Sequence, residues 1–101
     1  MPFHDISVKD FKIKLKHEVL IIDIRDKESY NRGNISRSVN YDSEDIMKLV
    51  KESTTKEERN RDIVVYCYHG NSSRKVASFL SDNGFNNIYS LIGGFSAWEN
   101  R

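Results

Sequence analysis

Residues 63–80, "IVVYCYHGNSSRKVASFL", run from a β-branched apolar stretch through small polar residues into an amphipathic one. The nearly continuous run "IVVYC" suits a strand buried on both faces. The segment that follows, "SSRKVASFLSDNGF", predicts a helix: it opens with serines, stripes Val76, Ala77, Phe79 and Leu80, and closes at Gly84, a ready C-terminal cap. The only cysteine of the chain, Cys67, stands where the predicted strand gives way to the loop.

Working outward, "VLIID" at 19–23 has the same character, and these two runs are read as the central strands. "SVNY" at 38–41 and "NIYSL" at 87–91 are read as flanking strands, and "FHDI" near the start supplies one more. Between them, "SVKDFKIKLKH" begins with Ser7 and Asp10 in a capping-box-like arrangement and places Phe11 and Leu15 on one face. "DSEDIMKLVKE" carries acids in its first turn, bases in its last, and Ile46, Leu49 and Val50 at helical spacing. Alternating strands and helices predict an α/β domain with a mostly parallel sheet and helices on both faces. The mixed-charge segment "KESTTKEERNR", residues 51–61, reads as a solvated helix end plus loop.

At 101 residues the chain holds one core, so residues 1–101 are read as one domain. Sixteen basic residues against fifteen acidic leave a net charge of +1. No concentrated basic stripe marks a nucleic-acid or membrane-surface binder. The longest apolar runs are a few residues, too short for a bilayer, and "MPFHDISVKDFK" lacks the uninterrupted apolar stretch of a signal peptide. A cytoplasmic location is the expectation. A lone cysteine closes no internal disulfide, and no metal-ligand spacing accompanies it. Neither a metal nor another cofactor is expected, and Cys67 is read as a free thiol.

A cysteine at a strand end could simply pack in a core, since free cysteine is among the most buried residue types. Its surroundings favour reactivity. Ligands of open α/β sheets gather outside the carboxyl ends of the strands. Tyr68, His69, Gly70, Asn71, Ser72 and Ser73 include a glycine and three small polar side chains, which can curl with their N–H groups inward as an anion nest. A free thiol is only roughly 3% ionised at pH 7, and a helix N-terminus raises that fraction. Arg74 and Lys75 break a local rule, being cations in a helix's first turn, where they would attract a small dianion. His69 is read as a solvent-facing loop residue rather than a base, and His4 and His17 are given no role.

The same residues resemble those of a known family. "CYHGNSS" is similar to the active-site loop of the single-domain rhodaneses, the small bacterial thiosulfate sulfurtransferases among them. "DIRDKESYNRGNI" at 23–35 is similar to that family's Asp-x-Arg strand end with its following acidic-aromatic-Gly-His-Ile pattern, and "LIGGFSAWENR" to its Gly-Gly-aromatic-x-x-Trp ending. The resemblance covers nearly the whole chain and implies a rhodanese-like fold, a parallel five-stranded sheet flanked by helices. It implies that Cys67 attacks the outer sulfur of thiosulfate, expels sulfite and carries a persulfide that cyanide or a thiol then discharges. The loop from Tyr68 to Ser73 would bind the substrate with Arg74. Asp23 and Arg25 would support the loop from behind, with an Arg25–Glu28 ion pair as the structural alternative. Asn34 replaces the family's histidine, and Asn71 and Ser72 stand where a basic residue is frequent, so anion binding must lean on backbone amides. Gly93 and Gly94 are read as permitting a tight turn near the loop, and Trp98 as a packing anchor.

Two other functions compete. A phosphatase or arsenate reductase built on Cys-x5-Arg would need arginine at 73, where this chain has Ser73, with Arg74 one place late and Tyr66 before the cysteine. A sulfur-relay module would load Cys67 from a protein donor. The expected partners are thiosulfate and a thiol or cyanide acceptor, with a small redox protein as one source of the thiol. The expected state is a monomer or weak homodimer.

Overall fold

Successive side chains of a strand point to opposite faces of its sheet, and the apolar runs of this chain fill both faces. Ile21, Val64, Tyr66 and Leu91 join one cluster with Phe11, Ile35 and Phe95. Ile22, Ile63, Val65 and Ile88 join a second with Ile46, Ala77, Leu80 and Phe85. A computed structural model describes residues 3–101. Its elements are β1 (His4–Ile6), α1 (Val8–Lys14), β2 (Leu20–Asp23), α2 (Lys27–Arg32), β3 (Ser38–Asn40), α3 (Ser43–Glu52), α4 (Lys56–Asn60), β4 (Ile63–Tyr66), α5 (Asn71–Asp82), β5 (Ile88–Leu91) and α6 (Gly94–Glu99).

The five strands form one sheet in the order β1-β5-β4-β2-β3, every pairing parallel. Residues of α1 and α6 pack on the first cluster, and residues of α3 and α5 on the second, so helices cover both faces. All carboxyl ends of the strands therefore point the same way. Central β4 delivers Cys67 to that end, between the ends of β2 and β5.

The expected α/β architecture is observed, with differences in detail. β5, expected to flank the sheet, is an interior strand, while β1 and β3 form the edges. At α1 only half of the capping box exists: Ser7 Oγ accepts the Asp10 N–H at 3.1 Å. Phe79 lies outside the buried stripe of α5 and is 37% exposed, because the buried positions are Ser73, Ala77, Leu80 and Ser81. Residues 51–61 are not merely a solvated helix end and loop. Thr55 and Glu58 form a complete capping box that starts α4. Arg59 folds inward onto the carbonyls of Val50, Ser53 and Asn83.

Candidate active site

The last bond of the β4 ladder brings the Ile24 N–H to the Tyr66 carbonyl at 3.1 Å, and the chain then leaves the sheet at Cys67. Gly70 adopts a left-handed conformation, φ +104°, and turns the backbone into α5. The first N–H groups of any helix need acceptors from outside it. α5 has no conventional side-chain cap at Gly70. The Cys67 sulfur serves instead: it accepts the Gly70 N–H at 3.1 Å and the Ser73 N–H at 3.4 Å. Ser73 Oγ lies 3.5 Å from the same sulfur.

Amides can face inward only if the loop's carbonyls are satisfied elsewhere. α6 does this. The Phe95 N–H donates to the Cys67 carbonyl at 2.8 Å and the Ser96 N–H to the Tyr68 carbonyl at 3.0 Å. The approach is so close that a Cβ on Gly94, φ +58°, would fall on the Cys67 carbonyl oxygen and 2.7 Å from the Tyr68 carbonyl. Gly93 and Gly94, both left-handed, make the expected tight turn beside the loop, and that turn leads directly into α6, with Gly93 as its N-cap.

The sulfur is mostly covered, Cys67 being 7% exposed. Burial pushes the thiol's pKa up; the Ser73 hydroxyl and the backbone N–H groups of Ser73, Gly70 and Ser72 outweigh it and hold the pKa below its ordinary value. Hydrogen bonds to an anion are roughly twice as strong as neutral ones, so this donor set favours the thiolate.

Beside this loop, at the end of β2, Asp23 and Arg25 close on each other. Arg25 Nη2 donates to Asp23 Oδ2 at 2.7 Å, Nε to both carboxylate oxygens, and the Arg25 N–H to Oδ1 at 2.8 Å. Asp23 is fully buried and the Arg25 side chain is 7% exposed. Burial alone would lower the Arg25 pKa; the Asp23 carboxylate overrides it and raises it. Arg25 also donates to the Gly33 carbonyl at 2.6 Å and stacks 4.1 Å from the Phe95 ring centre. The alternative Arg25–Glu28 pair does not form: Glu28 faces Arg32 at 3.6 Å. Through Phe95, Arg25 supports the helix that holds the loop's carbonyls.

The other predicted residues occupy distinct places. Tyr68 and His69 are exposed and stack edge-on, with ring centres 4.4 Å apart. Asn71 and Ser72 are exposed on the first turn of α5, while Ser73 is buried beneath the sulfur. The Arg74 guanidinium is not directed into the ring. It pairs with Asp5 and lies 5.1 Å from the Phe3 ring centre, both at the β1 edge. Lys75, exposed, makes no ion pair among the described residues. His4 and His17 are exposed, and Trp98 packs edge-on against Phe11 at 5.5 Å. An apolar groove of about 570 Å³, lined in part by Ile24, Met47, Lys75 and Phe79, does not include Cys67. A more polar cleft of about 370 Å³ reaches the loop at Tyr68, between Arg25, Arg32 and Glu99.

Three contributors escaped sequence reasoning. Phe95 was hidden by the glycine pair before it, which reads as a turn rather than a helix start. Ser90 sits in the interior of β5, 1% exposed, with its Oγ 2.8 Å from Ser73 Oγ. A hydroxyl inside an apolar strand is the signal that could have found it. In the sequence Tyr66 is a residue of the buried strand run and a non-histidine before Cys67, and nothing there marks its hydroxyl. Its hydroxyl accepts the Ile35 N–H at 3.1 Å and meets Ser38 Oγ at 3.2 Å, and burial with the neighbouring Asp23 pushes its pKa up to about 12.

Residues 7–101 match the rhodanese-like domain family. The chain is 42% identical over 81 residues to the thiosulfate sulfurtransferase GlpE of Shewanella oneidensis, covering 80% of this chain and 76% of that protein. It is 35% identical over 100 residues to the GlpE of Coxiella burnetii, covering 98% and 90% of the two chains. Among solved structures, the rhodanese-related protein of Thermoplasma volcanium superposes with a TM-score of 0.76 at 30% identity, covering 97% of this chain and 92% of that one. A Rhodopseudomonas palustris protein described as a possible tyrosine phosphatase superposes at 0.83 with 24% identity, over 97% and 80% of the two chains, a likeness of fold alone. With a five-stranded parallel sheet, a cysteine loop at its carboxyl end and these relatives, the chain belongs to the rhodanese-like domain family.

Proposed function

We propose that this protein moves the sulfane sulfur of thiosulfate to a thiol or to cyanide through a persulfide on Cys67. The observation that carries the reading is the sulfur held by two backbone N–H groups and a hydroxyl. In the first step the Cys67 thiolate attacks the outer sulfur of thiosulfate. The S–S bond of thiosulfate breaks and sulfite leaves with its electron pair. The charge then rests on the outer sulfur of the persulfide, close to a loop of fixed dipoles. In the second step cyanide, or the thiolate of an acceptor, attacks that outer sulfur. Thiocyanate or the acceptor's persulfide departs and the Cys67 thiolate returns. No proton need move in either step, so a general base is not required.

Phosphoryl transfer is disfavoured on this chain. Ser73 occupies the position where a Cys-x5-Arg loop carries its arginine, and Arg74 is already paired with Asp5.

Incubation with thiosulfate followed by intact mass measurement tests the reading. Wild type is expected to gain one sulfur atom, lose it to cyanide with release of thiocyanate, and do neither as Cys67→Ser. A wild-type protein that stays unmodified but hydrolyses an aryl phosphate would overturn the choice of anion. Loading only from a protein donor would make it a sulfur relay.

A further inference from the structure

The Ser73 hydroxyl has one hydrogen and three neighbours that could receive it. Cys67 Sγ lies at 3.5 Å, the Gly70 carbonyl at 3.3 Å and Ser90 Oγ at 2.8 Å. Which one takes it depends on the state of the sulfur. While Cys67 is a thiol, its S–H can donate to Ser73 Oγ and the Ser73 hydrogen turns to the Gly70 carbonyl or to Ser90. Once Cys67 is a thiolate, the Ser73 hydrogen is wanted at the sulfur, and Ser73 Oγ is left with lone pairs to fill.

Ser90 is placed to fill them. It is 1% exposed in the interior of β5, and Ser73 Oγ is its hydrogen-bond partner among the described residues. In the same strand Ile88, two residues before it, and Leu91, next to it, are buried and apolar, so a hydroxyl here costs free energy unless it is bonded.

We propose that Ser90 is a positioning residue for the reaction: by donating to Ser73 Oγ it commits the Ser73 hydrogen to the ionised Cys67 sulfur. The proton lost on ionisation goes from Cys67 to solvent. Each serine keeps its own hydrogen, and only the two O–H bonds turn. The inference rests on the reading that Cys67 works as a thiolate.

Other groups around the sulfur are common to all variants compared. Tyr68 and His69 on the loop are exposed, and Arg74 on α5 is engaged by Asp5. Lys75 is exposed, and Asp23 with Arg25 at the β2 end is closed as a pair. The Tyr66 hydroxyl is bonded at Ile35 and Ser38. On α6 the titratable group is Glu99, exposed at its far end, and β5 presents Ser90 itself.

The test is a double-mutant cycle read as the pH midpoint of Cys67 alkylation by iodoacetamide, followed by intact mass on variants first shown to unfold cooperatively. Ser90→Ala is expected to raise the midpoint by about half a pH unit and Ser73→Ala by about one unit. The double variant is expected to match Ser73→Ala, because Ser90 acts through Ser73. Ser90→Thr, which keeps the hydroxyl, is expected to titrate as wild type. The assignment is overturned by an unmoved midpoint in Ser90→Ala, by additive shifts in the double variant, or by Ser90→Thr behaving as Ser90→Ala. No sulfur donor enters the measurement. A cycle that closes as expected in a protein refusing thiosulfate sulfur would therefore uphold Ser90 while rejecting sulfur transfer.

Discussion

Two neighbouring strand ends solve the same problem in opposite ways. β2 ends at Asp23 and β4 leads into Cys67, side by side at the carboxyl edge of one sheet, and each buries a group able to carry negative charge. Asp23 is met by a full cation, Arg25, on both carboxylate oxygens. Among the described residues Cys67 is met by dipoles, the amides of Gly70, Ser72 and Ser73 and the Ser73 hydroxyl. A full counter-charge fixes the first group as architecture. Dipoles favour the second as an anion while leaving its electrons available to an electrophile. α6 joins the two, with the Phe95 ring under Arg25 and the Phe95 N–H on the Cys67 carbonyl.

The contrast is broken most severely by removing the cation. Arg25→Ala leaves the buried Asp23 carboxylate without its counter-charge, holding only the backbone N–H of residue 25, and the Gly33 carbonyl without its guanidinium donor, so a loss of about 3–5 kcal/mol is expected in chemical denaturation. Cys67→Ser, at the other strand end, is expected to change stability by less than about 1 kcal/mol while abolishing persulfide formation. Equal stability losses in the two variants would erase the distinction.

A second break strikes the joint. Gly94→Ala puts a Cβ onto the Cys67 carbonyl and should force α6 off the loop. Sulfur loading is expected to slow by about 100-fold in a protein that still folds, since a displacement of an ångström suffices for that loss. Unchanged loading kinetics would show that the α6 contact does not set the loop's geometry.

The comparison is sharpened by Arg74→Ala. Because Asp5 already holds this guanidinium on the surface, where such pairs contribute little, thiosulfate KM is expected to change by less than about threefold. A tenfold rise would return Arg74 to the anion site.

The smallest effect concerns the exposed helix caps. Asp26, Asp42 and Glu58 accept N–H groups at helix starts, chiefly those of Ser29, Asp45 and Thr55, which lower their pKa values. A carboxylate with a depressed folded pKa contributes stability that is complete above its unfolded pKa and is lost as pH falls through the folded value. Thermal unfolding should therefore drop on acidification below the ordinary carboxylate range. Glu58→Gln should make that drop shallower, and an identical pH profile would exclude the cap as a contributor.

Much of this arrangement was readable beforehand. The β-branched runs located the interior strands β2 and β4, because strands buried on both faces need uninterrupted apolar residues, while the edge strands β1 and β3 carry polar, partly exposed residues and showed only as short segments. The cysteine, the glycine and the small polar residues marked the loop, because their chemistry is local. What escaped depends on distant packing. Arg59 looked solvated among mixed charges, yet it bonds three carbonyls and lies 4.8 Å from the Phe85 ring centre. Phe79 fitted an apolar stripe whose inward face is shared with Ser73 and Ser81. α2 and α6 have six residues each, too few for a helical period to show. Arg25 could have paired with Glu28 as easily on paper. Only the fold turns it back onto Asp23.

The most direct test is the titration of Cys67 in the folded wild-type protein, by thiolate absorbance or by the pH dependence of its alkylation. The account predicts a midpoint below that of an ordinary thiol, moving to the ordinary value when the protein is unfolded. A folded-state midpoint at or above the unfolded one would contradict it.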